Sequence, residues 1–330
     1  MPDIFTPELP VFADITAAVE RLKGRTIRTP LLESPLLNQR MGRRILVKPE
    51  CLQRTGSFKF RGASNKILAL GDSVKTGGVV AYSSGNHAQG VAAAAHYAGI
   101  PALIVMPSDA PAIKRANTAA WGAEIQLYDR FTENREALAQ SIAKSRGAAI
   151  VPPYDDPLVI AGQGTVGVEI AEQLDAIGVK PCAVVLPCGG GGLISGAALA
   201  LSNLCPDVPV YSAEPSDFDD TARSLASGER QSVSPNARSI CDALLTPTPG
   251  VITFALNQAL LSGGLSVTDA EAQAAMRTAF LDLKLVVEPG GAVALASILS
   301  GKLPPGDEPV VAVLSGGNVD PATFQAALEA

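Results

Sequence analysis

The chain has 330 residues, 47% hydrophobic and 18% charged, with a formal net charge of -6. That length accommodates about two domains with ordinary cores. The balance excludes a disordered chain, and mild acidity without a run of Lys and Arg speaks against nucleic acid as a partner. Met1 to Asp14 carry Pro2, Asp3, Pro7, Glu8 and Pro10 in place of the basic start and apolar core of a signal peptide. The longest apolar stretch, Cys182 to Leu201, is broken by Pro187 and a run of glycines. No membrane span is therefore expected, and the expected location is the cytoplasm. Cys51, Cys182, Cys188, Cys205 and Cys241 form no Cys-x-x-Cys pair and read as reduced thiols. With His87 and His96 as the only histidines, neither a zinc site of the usual kind nor a Ser-His-Asp triad is expected.

In chain order, Arg44 to Lys48, Gly78 to Tyr82, Ala102 to Met106, Glu124 to Leu127, Ala183 to Pro187, Val208 to Ala213 and Pro309 to Leu314 read as strands. They are short aliphatic runs separated by alanine-rich helical stretches. Continuous apolar runs mark strands buried on both faces with helical crossovers, so the fold class is α/β with mostly parallel sheets. Residues 78–154 repeat strand and helix compactly enough for a small domain, and 1–77 with 155–330 form a large one around it. Ser227 to Pro249, rich in Ser, Pro and Thr, reads as a surface connection. Ligands in open α/β sheets bind beyond the carboxyl ends of the strands, which directs attention to the strand-to-helix junctions.

Thr55-Gly56-Ser57-Phe58-Lys59-Phe60-Arg61-Gly62 sets one lysine among small and apolar neighbours ahead of a helix. An ammonium taken out of water loses solvation and its pKa falls, and the neutral amine condenses with an aldehyde. Most lysines are solvated surface charges, so this segment alone decides nothing. Ser83-Ser84-Gly85-Asn86-His87 precedes an alanine-rich helix. It suits either a small carboxylate or an ordinary N-cap by Ser84 or Asn86, and both readings stay open. His87 reads as a structural hydrogen-bonding residue and His96 as packing.

The strand Ala183 to Pro187 runs into Cys188, then Gly189, Gly190, Gly191 and Gly192, then a helix, which reads as an anion cradle of backbone N-H groups, against the simpler reading of a flexible glycine turn. Neither a dinucleotide Gly-x-Gly-x-x-Gly register nor a P-loop lysine is present. After Pro309 to Leu314, Ser315 can donate to or accept from a heteroaromatic nitrogen, or simply serve a tight turn. Glu214-Pro215-Ser216-Asp217-Phe218-Asp219-Asp220 offers oxygen ligands for a hard cation, against the simpler reading of a solvated acidic loop.

Together, Ser57 to Ala63, Ser83 to His87, Ala161-Gly162-Gln163-Gly164-Thr165, Gly189 to Gly192 and Ser315-Gly316-Gly317-Asn318 resemble the threonine dehydratase and serine racemase family of fold-type II pyridoxal phosphate enzymes. Order and spacing match over nearly the whole chain. The resemblance implies a tryptophan synthase β-like fold of two open, mostly parallel twisted sheets flanked by helices, with pyridoxal 5'-phosphate in the cleft and a homodimer as the assembly. It implies Lys59 as the Schiff-base lysine, Phe58 beside the ring, Gly189 to Gly192 as the phosphate cradle, Asn86 as partner of the ring hydroxyl and Ser315 as partner of the pyridine nitrogen. Ser83, Ser84, Gly85, Asn86 and His87 would receive the substrate carboxylate. Ser84 is also a catalytic candidate, because its counterpart in racemizing relatives faces the lysine across the cofactor plane. Glu214, the carbonyl of Phe218, and Asp220 match the family's site for Mg2+ or another divalent cation, which reverses the preference for a solvated loop.

The implied reaction is β-elimination of water from a small β-hydroxy amino acid to give a 2-oxo acid and ammonia, with threonine and serine as first candidates. Dehydration of 3-hydroxyaspartate and racemisation of serine are the alternatives within the family. Outside that class stand a ligand-binding relative without turnover, and β-replacement. Tyr154 stands where animal serine racemases resemble one another in having asparagine and dehydratases tend to carry an aromatic residue, so racemisation is not the expected main activity. The chain ends at Ala330, so the regulatory domain of biosynthetic threonine dehydratases is not expected. Arg61 and Arg130 are the candidates to meet a second substrate carboxylate.

Overall fold

A computed structural model describes residues 8 to 330 except Pro111; the first half of the amino-terminal stretch read above as lacking a signal peptide, residues 1–7, lies outside the described residues. The strands are β1 (Leu32–Glu33), β2 (Ile45–Pro49), β3 (Val79–Tyr82), β4 (Ala102–Pro107), β5 (Glu124–Tyr128), β6 (Ala149–Ile150), β7 (Ala183–Pro187), β8 (Val210–Pro215), β9 (Gly263–Val267) and β10 (Val310–Leu314). They form a sheet of six strands in the order β1-β2-β10-β7-β8-β9 and a sheet of four in the order β5-β4-β3-β6. Every pairing is parallel except that of β1 with β2.

Alternation along the strands supplies two layers of core. In the larger sheet Ile45, Val47, Val185, Val310 and Ala312 face the helices Asp269–Leu283 and Pro289–Leu299. Leu46, Val184, Leu186, Val311 and Val313 face Pro157–Ala176 and Gly192–Leu204. Because both faces are covered, β2, β7 and β10 are buried at every position, which explains the unbroken apolar runs of β7 and β10 and, in β2, leaves only Lys48 as a charged member. In the smaller sheet Val79, Ala81, Ile104 and Met106 pack with Phe60, Ala63 and Ile67 of the helix Lys59–Leu70 and with Asn86–Ala98. Each Val, Leu, Ile, Met and Phe side chain among them contributes about 1.5–3 kcal/mol by leaving water.

The Ala161 to Thr165 motif acts by close packing. A Cβ on Gly162 would lie 2.7 Å from Gly62 Cα, one on Gly164 2.9 Å from Gly196 O, and one on Gly196 2.3 Å from Ile160 O. Glycine therefore lets the helix Pro157–Ala176 touch Lys59–Leu70 and Gly192–Leu204 backbone to backbone. Those two helices begin at the lysine and at the glycine loop, so this contact fixes one against the other.

Candidate active site

The loops after β3, β7 and β10 open onto one cleft of about 220 Å³, bounded also by Lys59, Tyr154 and the segment 242–247. Its glycine wall is shaped by conformation and by crowding. Gly191 has φ +96°, which L side chains rarely adopt, and a Cβ there would lie 2.7 Å from Thr253 Cβ. A Cβ on Gly190 would lie 2.3 Å from the Tyr154 ring. The Thr253 hydroxyl donates to Gly190 O at 2.7 Å and holds the loop. No side chain caps the helix Gly192–Leu204, so its first N-H groups and positive end remain available to an anion.

Lys59 opens its helix, and its Nζ donates to Pro153 O at 2.6 Å and sits 5.2 Å from the centre of the Phe58 ring. The side chain is half-buried within the cleft. Desolvation lowers its ammonium pKa to about 8, with Glu288 opposing. Roughly a tenth of this amine is therefore neutral at pH 7, far more than of an ordinary lysine.

Ser83, Ser84, Gly85, Asn86 and His87 all line the same cleft. The capping reading is not met, because the N-cap of Asn86–Ala98 is Gly85 and no side chain caps it. Neither Ser84 nor Asn86 is spent on capping. Asn86 instead donates through Nδ2 to Glu288 Oε1 at 2.5 Å and accepts from Asn318 Nδ2 at 2.7 Å. His87 is buried, with Nε2 2.8 Å from Val151 O, and desolvation, aided by Lys59, lowers its pKa to about 3. It is a neutral hydrogen-bonding residue at any ordinary pH.

Ser315 lines the cleft, and its carbonyl accepts from Phe58 N at 3.1 Å, tying the end of β10 to the lysine segment. A Cβ on Gly316 would lie 2.2 Å from Glu288 Oε1, so the motif after β10 makes room for that carboxyl. Burial raises the Glu288 pKa to about 7, and Asp242 adds to the effect.

Two residues beyond Lys59, Arg61 is completely buried in a charge network. Its guanidinium donates to Glu50 at 2.7 and 2.8 Å, to Glu169 at 2.7 and 2.9 Å, to Thr165 Oγ1 and to Ile27 O. Lys48 joins through Glu169 at 2.6 Å. Burial alone would raise the Glu50 carboxyl, but Arg61, with Lys48 and the Thr29 hydroxyl, outweighs it and holds the group below its ordinary range.

A family model described as pyridoxal-phosphate dependent enzyme matches residues 22–316. The chain belongs to that family. Among its relatives, L-threo-3-hydroxyaspartate ammonia-lyase of Saccharomyces cerevisiae is 41% identical over 94% of this chain and 94% of its own. A solved T.th. threonine deaminase is 44% identical with a TM-score of 0.88, covering 94% of this chain and 99% of that one. The solved maize serine racemase is 36% identical with a TM-score of 0.90, covering 98% of each.

The cleft fits the family's cofactor. An amine with a lowered pKa, an uncapped helix start behind glycines that leave no room for side chains, and an amide and a hydroxyl on the remaining walls match aldehyde, phosphate and heteroaromatic ring respectively. The other expectations fall elsewhere. Arg61 is occupied in its buried network, and Arg130 pairs with Asp109 at the half-exposed surface. Neither lines the cleft, so neither is placed to meet a second carboxylate.

Glu214, Phe218 and Asp220 also lie outside the cleft, and they are buried, while Ser216 and Asp217 between them are exposed. Glu214 accepts from Thr221 N and Ala222 N; burial, with Asp220, raises its pKa to about 8. Burial raises Asp220 to about 7, and its Oδ2 has no partner among the described residues.

Sequence reasoning missed Glu288, Lys114, Arg135 and Asp242, all of which line the cleft. Glu288 stands before Pro289-Gly290-Gly291 at a helix start, a junction of the kind searched for elsewhere. Lys114, Arg135 and Asp242 had no local signal. The connection Ser227 to Pro249 is only partly surface, since residues 242–247 fold into the cleft wall.

Proposed function

We propose that this protein is a pyridoxal phosphate-dependent ammonia-lyase, acting on a small β-hydroxy amino acid to give a 2-oxo acid and ammonia, with water first lost and then regained. The observation that carries this is the Lys59 amine, which lines the cleft with a pKa of about 8 and shares it with the glycine cradle. Bound there, the cofactor supplies an aldehyde that captures the substrate amine and a ring that spreads the charge left when the Cα proton departs. Gly189 to Gly192 would hold its phosphate, Phe58 would pack by its ring, and Asn86 and Ser315 would orient it through hydrogen bonds. The uncapped helix start at Ser83 to His87 would bind the substrate carboxylate, and Lys59, once free, would take the Cα proton as a base. Ser84 is the candidate for proton transfer on the opposite side. Release of ammonia and 2-oxo acid should be measured with L-threonine, L-serine and both 3-hydroxyaspartate diastereomers. Ammonia from none of them would contradict the proposal.

One observation favours a dicarboxylate among these substrates. Arg135 lines the cleft with its guanidinium 5.7 Å from the centre of the Tyr82 ring, and it has no carboxylate partner among the described residues. The relative from Saccharomyces cerevisiae is named for L-threo-3-hydroxyaspartate, which carries the second carboxylate such a guanidinium would bind. Replacing Arg135 by Met is expected to lower kcat/KM for 3-hydroxyaspartate about 30-fold while changing that for threonine less than about threefold. Equal losses on both substrates would contradict a second-carboxylate role.

The same reading includes a divalent cation such as Mg2+ at Glu214, Asp220 and the Phe218 carbonyl. The pairing of two buried carboxyls with an unpartnered Asp220 oxygen supports it. Millimolar Mg2+ should raise the Tm of the wild type and leave that of Asp220→Asn unchanged; no shift in the wild type would remove the cation. Division at residues 78 and 154 into small and large domains, location in the cytoplasm and assembly as a homodimer complete the proposal. A sedimentation mass of twice the chain mass is the expected result for the assembly.

A further inference from the structure

At the mouth of the cleft Lys114 Nζ meets Asp242 Oδ2 at 2.5 Å. Lys114 lies on the helix Ala112–Ala119, beside the smaller sheet, and Asp242 opens a short 3-10 turn attached to the larger one. Among the described residues this is the one ion pair joining residues 78–154 to the rest of the chain. The two side chains are 21% and 52% exposed, so solvent screens the pair and little folding stability depends on it. Its consequence lies in the charge presented to a ligand. Of the two cations at the mouth, Arg135 is unpaired and Lys114 is already neutralised.

We propose that Asp242 is a specificity-determining residue: by occupying Lys114 it withholds a second cation from substrates that carry a second carboxylate, and so tempers preference for dicarboxylate over monocarboxylate β-hydroxy amino acids. This rests on the ammonia-lyase reading given above. A monocarboxylate such as threonine brings only a methyl group and a hydroxyl beyond Cα, and neither competes with a carboxylate for an ammonium. A dicarboxylate held by Arg135 gains Lys114 as well only by sharing it with Asp242 or displacing Asp242 from it, so part of its binding is forgone. In Asp242→Asn the neutral amide holds Lys114 only as a weaker hydrogen-bond acceptor, and the ammonium becomes available.

The test compares the ratio of kcat/KM for L-threo-3-hydroxyaspartate to that for L-threonine in wild type, D242N, K114M and the double variant, using the cofactor-loaded enzyme. The ratio is expected to rise about tenfold in D242N, mainly through a lower KM for the dicarboxylate, and by less than about twofold when the same change is made in the K114M background. A ratio in D242N within about twofold of wild type overturns the proposal, and so does an equal rise with and without Lys114. Melting curves for each variant separate loss of fold from change of selectivity. A wild type inert toward 3-hydroxyaspartate would refute the dicarboxylate reading by itself; the role of Asp242 then stands if D242N acquires that activity and falls if it does not.

Discussion

Lys59→Ala is expected to reduce ammonia release about 10⁴-fold or more while leaving the fold intact. The substitution removes the amine that would carry the cofactor aldehyde and the base that would take the Cα proton, so two contributions vanish together. Stability should change little, because the side chain is half-buried, makes a single hydrogen bond to Pro153 O and pays for its position in lost solvation. Lys114 does not substitute for it, being held by Asp242 at the mouth. The check is turnover of threonine and 3-hydroxyaspartate by the variant, alongside its circular dichroism and melting curve. Turnover within about tenfold of wild type in a folded variant would contradict the role given to Lys59.

Arg61→Met is expected to act through stability. It removes five N-H donors from between Glu50 and Glu169 and leaves Glu50 with an uncompensated buried charge. Breaking such a buried pair from one side costs about 3–5 kcal/mol, whereas exposed pairs contribute about 0–1 kcal/mol. Removing the half-exposed Arg130 from Asp109 should thus be nearly silent. For Arg61→Met a fall in Tm of about 4–7 °C is the expected reading in a thermal melt. Arg61→Lys should recover only part of it, since three donors from one point cannot serve both carboxylates and Thr165. A melt within about 2 °C of wild type would show that the network contributes no net stability.

The fold was most legible where burial is two-sided. The runs ending at Pro187 and Leu314 carry apolar residues at every position because helices cover both faces of the sheet. β9, with Gly263 and Gly264, escaped notice because it is an edge strand whose first four residues are only partly buried. The two-residue strands β1 and β6 are too short to show any period.

At the site, the glycine loop and Lys59 were legible because each sits at a strand or helix end with unusual local composition. Asn86 was ambiguous, since an amide at a helix start reads equally well as a cap, and its contact with Glu288 spans 202 residues of sequence. The charged rim of Lys114, Arg135 and Asp242 belongs to separate segments whose meeting depends on the packing of the two sheets. For the same reason Arg61 looked available for substrate, although Glu50 and Glu169 converge on it from other elements.

The central claim is that the amine at position 59 carries the cofactor. Wild-type protein should be incubated with pyridoxal phosphate across a pH series, reduced with borohydride and digested, and the modified lysine located by mass spectrometry. The predicted result is one stoichiometric adduct on Lys59, forming faster as pH rises through about 8, where its ammonium gives up the proton. An adduct confined to other lysines, or none at all, would contradict it.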